Sequence, residues 1–120
     1  MNTAFRSALV LEDNPLIAMD EEAMLKKLDC PEVHVASSVA DAESIIGHHA
    51  VDFALLDVEL DGETSESIAS QLLSKKVPFA FVSGYDDACG LHGKFAGIPS
   101  LLKPLSDSAL QDTLRALGLL

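Results

Sequence analysis

Cysteine is scarce in this chain. Cys30 and Cys89 are the two in 120 residues, which leaves no disulfide framework and predicts a reducing, cytoplasmic setting. Long apolar runs are missing too: no stretch approaches the roughly 20 residues that a membrane-spanning helix needs, so no membrane association is expected. The opening stretch MNTAFRSALVLEDNP is broken by Glu12 and Asp13 and does not read as a secretory signal. Basic residues are few, with 8 Lys and Arg against 19 Asp and Glu and a net charge of −11. Nucleic-acid phosphates would be repelled, which argues against direct nucleic-acid binding and leaves cations and basic protein surfaces as partners. Repeats, low-complexity tracts and linkers are also lacking, so residues 1–120 are expected to form one domain.

What is present is a core. Hydrophobic residues make up 48% of the chain, enough for a globular domain that buries roughly two-thirds of its unfolded surface. Short apolar runs lie at 8–11, 33–36, 53–56, 79–82 and 98–102. Several are continuously apolar, as strands buried on both faces are. Helical patterns alternate with them. Ile17, Met24, Leu25 and Leu28 share a face after Pro15, with Glu22 and Lys26 as an i,i+4 pair. Ser38 and Asp41 resemble a capping box before Ala42, Ile45 and Ile46. Ile68, Ala69, Leu72 and Leu73 mark a third helix ending at Lys75 and Lys76, and Leu110, Leu114 and Leu117 mark a last one between Ser106 and Gly118. The glycine-rich connection 85–97 predicts a short or frayed helix. Strand and helix thus alternate five times. That order demands a parallel sheet with right-handed crossovers and helices on both faces.

Polar residues end the strands: Glu12 and Asp13 the first, Asp57 the third, Ser83 the fourth and Lys103 the fifth. In an open α/β sheet the ligand crevice lies beyond the carboxyl ends of the strands, so these residues are expected to converge. The alternation of Asp57, Glu59 and Asp61 before Gly62 looks like the start of an EF-hand calcium loop. Its twelfth position, however, is Ile68 instead of a bidentate Glu, and the segment before Asp57 reads as a strand. Clustered carboxylates suit a hard divalent cation such as Mg²⁺. An aspartate in such a site can act as a nucleophile toward phosphorus, while Mg²⁺, the Lys103 ammonium and the Ser83 hydroxyl neutralise the phosphoryl oxygens. Glu12 and Asp13, with Asn14, also suit the N-terminus of the helix at Pro15. The histidines and the Cys89–His92 pair lack a second pair at zinc-site spacing, and Cys30 before Pro31 reads as structural.

In order along the whole chain, LVLEDNP, FALLDVEL, FVSGY and LLKP resemble the acidic pair, phospho-acceptor strand, Ser/Thr strand and Lys-Pro motif of the CheY-like receiver domains of two-component response regulators. The resemblance implies a flavodoxin-like (βα)5 three-layer sandwich with strand order 2-1-3-4-5. It implies that Asp57 accepts the phosphoryl group. Asp13 and Asp57 would ligate Mg²⁺ (or Mn²⁺) directly, Glu12 through water, and Glu59 through its backbone carbonyl. Ser83 and Lys103 would contact the phosphoryl group, with a cis bond before Pro104. The implied partners are a sensor histidine kinase or phosphotransfer protein and a downstream protein effector. The domain itself would catalyse only its own phosphorylation and dephosphorylation.

The chain departs from the common pattern in having Asp61 where the family often has proline and Ser100 where it usually has the aromatic switch residue. FVSGY is similar to the motif of the receiver subclass nicknamed FAT GUY, often stand-alone and paired with kinases of the HWE type in bacterial stress signalling. Tyr85 and Glu59 are expected to modulate the phosphoryl lifetime. Rival readings are a phosphate sink or shuttle in a relay, a pseudo-receiver that binds partners unphosphorylated, and a phosphatase or phosphotransferase with an Asp nucleophile.

Overall fold

The computed structural model describes residues 5–58, 60–84 and 95–120. Five strands, β1 (Ser7–Leu11), β2 (Glu32–Ala36), β3 (Phe53–Asp57), β4 (Phe79–Ser83) and β5 (Ser100–Leu102), form one parallel sheet in the order β2-β1-β3-β4-β5. The helices among the described residues are α1 (Pro15–Lys27), α2 (Val39–His48), α3 (Glu66–Lys75) and α4 (Asp107–Ala116). This is the flavodoxin-like architecture that the sequence implies. The short helix expected between the fourth and fifth strands falls mainly on 85–94, outside the described residues.

The continuously apolar runs are the inner strands. Every residue of β1, β3 and β4 is buried, and alternate side chains feed two cores. Leu9, Leu11, Ala54, Leu56, Phe79 and Phe81 pack under α2 and α3, where Ala42, Ile46, Ile68 and Leu72 meet them. Ala8, Val10, Phe53, Leu55, Ala80 and Val82 pack under Ala18, Leu25, Leu110 and Leu114 of α1 and α4. The edge strands β2 and β5 are partly exposed. β5 is shorter than the apolar run 98–102 suggests. Pro99 has no N–H to donate, and pairing begins with its carbonyl accepting from the Phe81 amide at 2.9 Å.

Local signals fix the helix ends. Ser38 accepts from the Asp41 amide and Ser106 from the Ala109 amide, each at 3.1 Å. At α1 the cap is Asn14, whose Oδ1 accepts from the Leu16 amide at 3.0 Å. Glu12 does not cap this helix itself; its Oε2 accepts from the amide of the capping residue at 3.0 Å. Asp13 likewise turns away from the helix, toward the loop after β3. Gly118, just past α4, takes the left-handed conformation (φ 79°) that a side chain would resist.

Candidate phosphoryl-acceptor site

The site lies where β1, β3, β4 and β5 stop. Parallel pairing sets Asp57 beside Val82 and Ser83 beside Leu102. The Lys103 amide then donates to the Ser83 carbonyl at 2.8 Å, and the Val58 amide to the Val82 carbonyl at 3.0 Å. The sheet therefore delivers Asp57, Ser83 and Lys103 in one row, and β1 adds Glu12 and Asp13. Glu12, Asp57 and Ser83 are buried, and Asp13 is half-buried. The Lys103–Pro104 peptide is cis, as the resemblance implies.

One cation joins the acids. The Lys103 ammonium donates to Oδ2 of Asp57 at 3.0 Å and forms an ion pair with Oε1 of Glu12, also at 3.0 Å. The same ammonium therefore serves both buried carboxylates. Burial raises the Glu12 carboxyl to about 7, against the pull of the Asn14 amide and the Lys103 ammonium. Burial works against the charged form of Lys103, but its bonds to Asp57 and Glu12 outweigh that and raise its pKa.

Glu12, Asp13 and Asp57 each place one carboxylate oxygen within 4.8 Å of the others. Three hard oxygens converging at a half-open position fit a divalent cation of the Mg²⁺ kind. Asp13 is further held by the loop after β3: its Oδ2 accepts from the Asp61 amide at 2.8 Å. Residues 59 and 85 lie outside the described residues, so the carbonyl of Glu59 and the ring of Tyr85 have no described place in the site; the same holds for Cys89 and His92.

Two participants escaped the sequence reading. The Asp61 amide acts through its backbone, which leaves no side-chain signature. Glu21 is the other: it is 3% exposed, and burial followed by repulsion from Glu12 raises its carboxyl to about 8. Ala18, Glu21 and Leu25 are the buried positions of α1. Their 3- and 4-residue spacing was the available signal, masked because a glutamate counts against an apolar face.

The sequence matches the response regulator receiver domain family over residues 8–115. Among solved structures, SdrG from Sphingomonas melonis Fr1 is 35% identical, with a TM-score of 0.84 over 97% of this chain and 98% of that one. The BeF3-activated conformation of SdrG, with the source given as Pseudomonas melonis Fr1, is 34% identical, with a TM-score of 0.80 over 98% and 99%. TrrA from Thermotoga maritima in complex with Mg²⁺–BeF shares the fold at 20% identity, with a TM-score of 0.78 over 93% and 98%. The strand order, the convergent strand ends and these likenesses agree: the chain belongs to the response regulator receiver domain family.

Proposed function

We propose that Asp57 accepts a phosphoryl group from the phosphohistidine of a partner protein and that the phosphorylated domain signals through protein contacts. A carboxylate oxygen of Asp57 attacks phosphorus, the phosphorus–nitrogen bond breaks, and the departing imidazole keeps the electron pair and takes a proton. Lys103 already bonds Asp57, so its ammonium is in place to neutralise charge on the incoming phosphoryl oxygens. The sheet register holds Ser83 next to Lys103, where its hydroxyl would donate to another oxygen. Glu12, Asp13 and Asp57 would hold Mg²⁺ or Mn²⁺, which neutralises phosphoryl charge when bound. Asp57 then returns the group by hydrolysis or back-transfer. The domain thereby acts on itself and not on external substrates.

The observation that carries this reading is the convergence of Asp57, Glu12 and Asp13 with the Lys103 ammonium 3.0 Å from the acceptor. BeF3 activation of a 34%-identical relative supports the same use of the crevice. The donor would be a sensor histidine kinase, of the HWE type if the FVSGY motif reports its subclass, or a phosphotransfer protein of the cytoplasm. Incubation with Mg²⁺ and phosphoramidate, followed by intact mass measurement, tests the proposal. One added phosphoryl on the wild type and none on Asp57→Asn is expected. An unmodified wild type would identify a pseudo-receiver, and donor turnover without a covalent species would identify an enzyme.

A further inference from the structure

Behind the phosphoryl site, α1 and the β5–α4 connection enclose a cavity of about 220 Å³. Ile17, Met24, Pro104 and Leu105 give it an apolar wall, and Glu21, Asp20 and Lys103 supply its polar groups. Glu21 is 3% exposed, and its Oε2 is buried without a hydrogen-bond partner. A buried oxygen left unpaired is costly, so an unpaired carboxyl oxygen on a residue that lines an apolar cavity asks for a missing partner.

The surroundings of Glu21 narrow the choice of that partner. Burial is the main cause that raises the Glu21 carboxyl, repulsion from Glu12, Asp57 and Asp20 adds to it, and Lys103 opposes it. The Lys103 ammonium is turned to Asp57 and Glu12. Glu21 therefore keeps a proton at neutral pH, its carboxyl raised to about 8. An ammonium can replace that proton as the partner of the Glu21 carboxyl, and Asp20 on the same cavity wall offers it a second carboxylate.

We propose that this cavity is a binding site for a primary ammonium group carried on a short alkyl chain. The ammonium pairs with the Glu21 carboxylate and with Asp20 at the rim, the carboxyl proton leaves to solvent, and the chain lies against Ile17, Met24, Pro104 and Leu105. The size is suitable: a cavity of about 150 Å³ admits benzene, so this one takes a slightly larger body. A free amine and a lysine side chain of a peptide both present this chemistry.

Amide chemical shifts on titration with n-pentylamine test the proposal. Saturable shifts at Ile17, Glu21, Met24 and Leu105 are expected at millimolar concentration. n-Pentanol, equal in length but uncharged, should bind about tenfold or more weakly, and Glu21→Gln should weaken the amine by a similar factor. Met24→Trp fills the cavity while keeping Glu21 and should abolish binding; the dispersed spectrum of each variant verifies its fold. Tighter binding of pentylamine than of Nα-acetyl-lysine methylamide assigns the site to free amines, and the reverse assigns it to a peptide lysine. No saturable shifts, equal binding of alcohol and amine, or a Glu21→Gln variant that binds like the wild type would overturn the proposal.

Discussion

The ammonium of Lys103 reaches across β4 to lie 3.0 Å from Oδ2 of Asp57. The strand between them carries Ser83 at its end, so the bond closes a row of three polar residues at the carboxyl edge of the sheet. Asp57 and Glu12 are both buried, and the same ammonium serves each.

Removing that ammonium should leave two buried acids facing one another. Lys103→Met is expected to lose about 1–3 kcal/mol of stability in metal-free buffer, the cost of an unpaired buried polar group, tempered because Lys103 is partly exposed. Urea unfolding with and without Mg²⁺ checks this, with part of the loss recovered when Mg²⁺ is present. The rate of phosphoryl uptake should fall about 100-fold or more, the scale of losing one preorganised donor.

Cation binding should stabilise the fold by mass action. At a Mg²⁺ concentration about 100 times its Kd, the gain is about 2.7 kcal/mol, and chelation should remove it. Asp13→Ala removes one of the three converging oxygens and frees the Asp61 amide. Calorimetric titration should show at least about tenfold weaker Mg²⁺ binding, with the fold retained.

Glu21 makes stability fall as pH rises. Its carboxyl is raised from 4.5 to about 8, so between those values the folded state holds a proton that the unfolded state has released. Stability is highest below pH 4.5 as far as this group is concerned, and it falls at up to about 1.4 kcal/mol per pH unit toward pH 8. Glu21→Gln should flatten this slope in urea unfolding series at pH 5.5, 6.5 and 7.5. An unchanged slope would show that Glu21 is ionised in the folded protein.

Much of the site was legible because each inner strand is a short apolar run whose first polar residue marks its end. Asp57 after FALL and Ser83 after FAFV could be placed by that rule alone, whereas the strand order came with the family resemblance. The face of α1 was misread in part. Periodicity pointed to Ile17, Met24, Leu25 and Leu28; Leu25 is fully buried and Met24 and Leu28 pack against the core, yet Ala18 and Glu21 also turn fully inward. A helix's rotation is set by what it packs against, and the packing of α1 on β1, β2 and the core shared with α4 is a tertiary fact. The Asp13–Asp61 bond was illegible for another reason: a backbone amide is the same at every position, and only the path of the loop selects one.

The central claim is that Asp57 carries the phosphoryl group, and borohydride trapping tests it most directly. Hydride reduces an aspartyl phosphate to homoserine with loss of phosphate, leaving a permanent mark that peptide mass mapping can locate. After exposure to phosphoramidate and Mg²⁺, homoserine is expected at position 57 and at no other acidic residue. Homoserine at Asp13, Asp61 or any other carboxylate, with Asp57 intact, would contradict the account.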